Sequence, residues 1–301
     1  MKNSIFNSKA ALAEASRKSS HLKKMTPEEL RTFQLCLFDI YKDIKKVCDK
    51  YDIKVFLIGG SALGAVRHHG FIPWDDDMDL SMTRKDFERF ASVFERELSD
   101  KYILNAPNYS THVRNRFPIV MKKDTYYRTL IDSKLDEHHH VNVEIFILEN
   151  TPDNKLHRKV KGLYCNFLSL LSWEVFIYEN RNEQVKEYLE SIGKANYYSR
   201  IIIGGLFSFR TSSQWFNTFD KAIRYDNDKS KCCCLATGRK RYFGEIMKRE
   251  QWLPGQTAEF EGEEVLIFSD KEPYLRNLYG DYMELPPVDK RELHTACEIR
   301  L

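Results

Sequence analysis

Leu30, Phe33, Leu37, Ile40, Ile44, Val47 and Tyr51 follow one another mostly at intervals of three or four, and this spacing predicts a helix with one apolar face. Thr26-Pro27-Glu28-Glu29 marks its start, with proline at the first helical position and glutamate in the capping-box place; it ends near Asp52. Lys54 to Ile58 is a short run of strand formers stopped by Gly59-Gly60, and Ser61 to His69 reads as a short helix capped by Ser61. The period then changes to two. If Asp75 to Met82 is a strand, Asp75, Asp77 and Asp79 project one way while Asp76, Met78 and Leu80 project the other. Thr83 caps a helix from Arg84 to about Leu98, and Arg116 to Lys122 and Val141 to Leu148 are strand candidates, the second with Glu144 in its middle.

Asn150 to Asn154 is a turn cluster and a subdomain boundary. From Lys155 to about Asp226 the pattern is helical and rich in aromatics, with an expected break near Gly204-Gly205. Cys232 to Thr237 then predicts a buried strand, Thr257 to Phe268 a hairpin around Glu261-Gly262, and Pro273 to Tyr282 a helix. Four segments result: a basic, Ser-rich tail (1–25), a catalytic core (26–150), a helical segment that builds an acceptor groove or a membrane-facing surface (151–228), and a C-terminal segment completing the core (229–301).

Composition narrows the setting. The 47 basic and 44 acidic side chains leave a formal charge of +3, which supplies no electrostatic case for a nucleic-acid partner. Seven cysteines, with no CxxC pair, read as reduced thiols. Met1 to Lys24 lacks the apolar core of a secretory signal, so the expected location is the cytoplasm, with peripheral contact at the inner face of a membrane left open. His138-His139-His140 reads as an exposed loop, because three consecutive residues cannot converge on one ion.

The chemistry sits around the acidic run, which puts four carboxylates, Asp75, Asp76, Asp77 and Asp79, within five residues. Carboxylates at i and i+2 make a hard oxygen site of the kind Mg²⁺ prefers. A Gly59-Gly60-Ser61 turn leaving a strand lets backbone N–H groups approach phosphate oxygens, and Arg67, along the following helix, can add a bidentate contact. The interval between Gly60 and Asp77 leaves room for a short crossover helix, so the glycine and acidic strands can share a sheet. Should the strand of Glu144 pair beside the acidic one, Glu144 becomes a third carboxylate, as ligand or as proton acceptor.

The stretch from Ile58-Gly59-Gly60-Ser61 through Arg67-His68-His69-Gly70-Phe71-Ile72-Pro73-Trp74 to Asp75-Asp76-Asp77-Met78-Asp79 resembles the LicD family, which is related to the fukutin group of phosphosugar transferases. A second stretch, Tyr279-Gly280-Asp281-Tyr282-Met283-Glu284-Leu285-Pro286-Pro287 with Lys290-Arg291 and His294, is similar to that family's C-terminal signature. The resemblance implies an α+β fold: a nucleotidyltransferase-like mixed β-sheet core flanked by helices, with a helical insertion and a C-terminal α/β segment. It implies Mg²⁺, with Mn²⁺ as the alternative ion, on Asp77 and Asp79, with Asp75 and Glu144 as neighbours. Substrate contacts fall to Gly59, Gly60, Ser61, Arg67, Lys122, Asp281 and His294. The implied reaction moves a phospho-alcohol, phosphocholine from CDP-choline, onto a hydroxyl of a glycan, free or lipid-linked, and releases CMP. Two rivals remain at this point: a nucleotidyltransferase that uses NTP and releases pyrophosphate, and a non-catalytic glycan- or nucleotide-binding module.

Overall fold

A computed structural model describes residues 22, 23, 25–132, 134–191, 193–288, 291 and 296–301. Helix α1 (Pro27–Lys50) starts at the expected capping box, with the Thr26 hydroxyl accepting from Glu29 N–H and the Glu29 carboxylate accepting from Thr26 N–H. Strand β1 (Phe56–Leu57) leads into α2 (Gly59–Arg67), followed by β2 (Asp79–Thr83), α3 (Arg84–Leu98), β3 (Tyr102–Asn105), β4 (Ile119–Lys122), β5 (Tyr126–Thr129) and β6 (Asn142–Asn150). Four helices come next: α4 (Lys155–Glu179), α5 (Glu183–Ser191), α6 (Lys194–Leu206) and α7 (Ser212–Ile223). The chain returns to the sheet with β7 (Cys232–Leu235), α8 (Arg241–Gly244), β8 (Ile246–Lys248), α9 (Arg249–Trp252), β9 (Gln256–Phe260), β10 (Glu263–Ile267), α10 (Lys271–Tyr279) and β11 (Ala296–Arg300).

The main sheet is mixed. Its path is β3-β4-β6-β2-β1-β10-β9, and β7, which also pairs with β8, joins the C-terminal end of β6. Strands β2 and β6 run parallel, as do β1 and β10, while β1 and β2 are antiparallel. A return of that hand needs only the short α2 connection rather than a full crossover. One face of the sheet packs Leu57, Leu80, Met82, Val143, Ile145 and Ile147 into the main core with Phe33, Leu37, Ile40, Tyr41 and Ile44 of α1. The other face is left for the site.

Several expectations change in detail. The acidic run becomes strand only at Asp79; Asp75 N–H instead closes a turn onto Ile72 O, because the β6 ladder supplies a partner only from Glu144 onward. The two-fold alternation survives nonetheless, with Asp76, Met78 and Leu80 buried and Asp75, Asp77 and Asp79 partly exposed. Helix α2 begins at Gly59 with Ile58 as its N-cap, so Ser61 lies inside it and caps nothing. The expected break does fall near Gly204-Gly205, since α6 ends at Leu206 and α7 begins at Ser212, although both glycines lie inside α6. A Cβ on Gly204 would stand 2.4 Å from Glu174 O, so the glycine is there to let α6 cross α4 at close range. His138 and His139 are buried rather than exposed, and Arg114 donates to His138 O.

The helical segment is bolted to the sheet by charge. Arg84 of α3 donates to Glu149 of β6 at 2.9 Å and to Asp220 of α7 at 2.8 Å, with all three side chains buried. Arg84→Met would strip the buried Glu149 of its cation and leave Asp220 with Arg224 alone at 3.5 Å, and is expected to cost about 3–5 kcal/mol in urea denaturation. A loss under about 1 kcal/mol would show that water reaches the cluster.

Candidate active site

The site begins with a conformation that a glycine makes cheap. Gly59 has φ of +53°, which a side chain resists, and a Cβ there would meet Asp79 Oδ2 at 2.4 Å. A Cβ on Gly60 would meet Asp75 Oδ2 at 2.5 Å and lie 3.9 Å from Asp77 Oδ1. Three carboxylates therefore close over a bare backbone turn. Its groups are mostly committed to holding that turn: Gly59 N–H donates to the Tyr274 hydroxyl at 3.1 Å, and the buried Ser61 hydroxyl accepts Asp79 N–H at 2.9 Å. Gln34 of α1 steadies the approach by donating to Asp75 O at 2.8 Å.

The fourth acid comes from the sheet. In the parallel β2–β6 register Asp79 sits directly opposite Glu144, and β6 is flanked on its other side by Ile119 of β4. Glu144 is thus on an interior strand, half-buried, its side chain on the face that lines the cavity. Asp75, Asp77, Asp79 and Glu144 share one cavity of about 870 Å³, whereas Asp76 is buried on the opposite side. Among the described residues no three of these side chains draw together into a closed metal shell. The donor set and the glycine cradle nevertheless fit a hard divalent cation, since all four groups offer carboxylate oxygens along one wall.

The cavity's arginines were not legible in the sequence as a group. Arg116, Arg200, Arg239 and Arg241, from three separate segments, line the same cavity. Burial, and then the neighbouring charge of Arg241, push the Arg116 guanidinium down to about 10, so it stays cationic at neutral pH. Its position is braced by donation to the Ser169 hydroxyl and to Ser169 O, and it stands 5.6 Å from the Trp173 ring centroid. Arg200 pairs with the fully buried Glu174 at 2.7 Å, and burial raises the Glu174 carboxyl despite that partner. Tyr279 lines the acidic end, and burial together with the charges of Asp79, Asp75 and Asp77 holds its phenol protonated well above the usual range. Arg116 lies at the start of a strand candidate and Tyr279 in the C-terminal stretch similar to LicD, whereas Arg200, Arg239 and Arg241 carried no motif.

The sequence-derived residues divide accordingly. Gly59, Gly60, Asp75, Asp77, Asp79, Glu144, Arg67 and Asp281 all line the cavity. Arg67 is already engaged there, donating to Tyr282 O at 2.6 Å and to Glu284 O at 3.2 Å, which ties α2 to the C-terminal signature. Ser61 lies behind the turn and is absent from the cavity lining. Lys122 is not brought to the site: it lines a separate groove beside Cys36 and Asp39, because the β4 pleat carries it away from the acidic face. His294 and Lys290 lie outside the described residues.

Comparison with known proteins matches residues 52–166 to the family model described as LicD/FKTN/FKRP, nucleotidyltransferase domain. The chain is 28% identical over 288 residues to the lipopolysaccharide cholinephosphotransferase LicD of Haemophilus influenzae, covering 92% of this chain and 98% of that protein. Shorter matches join it to uncharacterized proteins of Rickettsia typhi, 39% identical over 59 residues (20% of this chain, 19% of that one), and Rickettsia prowazekii, 42% identical over 52 residues (17% and 20%).

Gly59→Ala is expected to lose about 1–2 kcal/mol in urea denaturation, from left-handed backbone strain. Gly60→Ala, free of that strain, should lose less, because only the tip of Asp75 must move. Equal losses at the two positions would contradict this account of the turn.

Proposed function

Because this chain carries a LicD-family domain, we propose that it is a phosphotransferase that moves phosphocholine from CDP-choline onto a hydroxyl of a surface glycan, releasing CMP. The observation that carries the reading is the gathering of Asp75, Asp77, Asp79 and Glu144 in one cavity that is also lined by Arg116, Arg200, Arg239 and Arg241. A nucleotidyltransferase-like core accounts for the glycine turn packed against an acidic strand.

In this reading Asp77 and Asp79 hold Mg²⁺, with Asp75 and Glu144 within reach. When bound, the ion neutralises the donor's diphosphate. The chain's own residues do the rest. Arg116 and Arg241 orient and neutralise the nucleotide-side phosphate, a role the sequence suggested for Arg67 and Lys122. Glu144 accepts the proton of the attacking hydroxyl. The new O–P bond forms at the phosphorus bearing choline, the bond from that phosphorus to the bridging oxygen breaks, and its electron pair leaves with CMP. The protonated Tyr279 supplies a hydrogen-bond donor at the acidic end.

Asp77→Asn and Asp79→Asn are each expected to lose several kcal/mol of transition-state stabilisation, about a hundredfold or more in CMP formation from CDP-choline. Full turnover in both variants would sink the assignment, and release of pyrophosphate from an NTP would favour a nucleotidyltransferase instead. Arg116→Gln should weaken CMP binding in calorimetry by about tenfold to a hundredfold, the worth of a charge-assisted hydrogen bond. Unchanged affinity would place the nucleotide phosphate elsewhere in the cavity.

A further inference from the structure

The outer face of α4 is unlike the rest of the surface. Leu156, Val160, Leu163, Tyr164 and Phe167 recur at helical spacing, and each is more than half exposed. Isolated surface apolar residues need no explanation, but a stripe three turns long does. Around it the helix is purely basic: Lys155, His157, Arg158 and Lys159 stand in the same turns, and the first acidic residue of α4 is Glu174. Lys155 and Lys159, four residues apart, share one flank of the stripe, where long side chains can rest along apolar surface and present their charges outward. Lys161 is engaged elsewhere, donating to Ala222 O and Arg224 O.

The stripe runs into the site. Leu163, Phe167, Leu170 and Glu174 follow at i, i+4, i+7 and i+11, so they share one face of α4. Leu170 and Glu174, with Ser169 and Trp173, line the cavity, so the same helical face passes from open surface to cavity wall within two turns. On the C-terminal segment Leu285 also lines the cavity and is more than half exposed, as are its neighbours Met283 and Val288.

We propose that this face of α4 docks on an anionic lipid bilayer, with the apolar stripe in the interface and Lys155 and Lys159 against acidic headgroups. Charge chooses this occupant over a second copy of the chain. A two-fold interface through the stripe would bring two sets of lysines together with no acid in the same turns of α4 to offset them. Among the described residues no helix is long and apolar enough to cross a membrane, so the contact is peripheral, as for an amphipathic helix lying in the headgroup plane. A lipid-linked hydroxyl acceptor could then reach the cavity along Phe167 and Leu170 without leaving the membrane. That last step rests on the transfer reading, whereas the membrane contact does not.

The test is co-sedimentation of the full chain with vesicles of phosphatidylglycerol and phosphatidylcholine, against phosphatidylcholine alone, at low and high salt. Partition onto the anionic vesicles is expected, weakening with salt. Leu163→Glu and Phe167→Glu should each reduce it at least tenfold with unchanged melting temperature, since both side chains are exposed. The double variant Lys155→Gln with Lys159→Gln should reduce partition and flatten its salt dependence, which covers the event that a glutamate variant misfolds. Failure of the wild-type chain to bind anionic vesicles, partition insensitive to all these variants, or a wild-type dimer that Phe167→Glu dissociates would overturn the proposal. CDP-choline binding measured on the same samples separates the two readings: vesicle partition without donor binding leaves the docking face standing and removes the transfer chemistry.

Discussion

The parallel register of β2 and β6 sets Asp79 beside Glu144, and most of what surrounds the cavity answers to that adjacency. Two carboxylates on neighbouring strands, with Asp75 and Asp77 just upstream, make a concentration of negative charge that a half-buried surface holds only when cations or hydrogen-bond donors face it. The chain meets this with a protonated phenol at Tyr279 and arginines across the cavity. It also spends backbone donors on geometry: Asp79 N–H goes to Ser61, and Gly59 N–H goes to Tyr274, so the acidic strand, the glycine turn and α10 lock one another in place.

The charges of the cavity come from two sources. Asp75, Asp77, Asp79 and Glu144 come from the sheet and the loop that feeds it, whereas the four arginines, with Glu174, Glu245, Asp281 and Glu284, come from segments added around it. Arg116 precedes β4, Arg200 belongs to α6, and Arg239 and Arg241 follow β7. The Arg84 cluster anchors α7 to α3 and β6, and Gly204 lets α6 lie close on α4, so the helical segment is held near the site from two directions.

Much of this was readable in advance where the physics is local. The capping box at Thr26, the Thr83 cap, the hairpin turning at Glu261-Gly262 and the two-fold burial of Asp76, Met78 and Leu80 depend on residues within a few positions of one another. The errors arose where a distant partner decides. Ser61 has the chemistry of a cap, but its hydroxyl goes to Asp79. Lys122 looked suited to phosphate until the β4 pleat turned it to another groove.

The sequence by itself determined the chemical inventory: a glycine turn, an acidic run with alternating faces, and a lone glutamate in an apolar strand. Short-range sterics and hydrogen bonding suffice for these, because glycine backbone freedom, strand alternation and capping act over one to four residues. Only the tertiary structure decided which acids meet, which arginines face them, and that one face of α4 continues from open surface into the cavity. Those pairings depend on strand register and helix crossing, which are fixed by packing between segments far apart in the chain rather than by any local pattern.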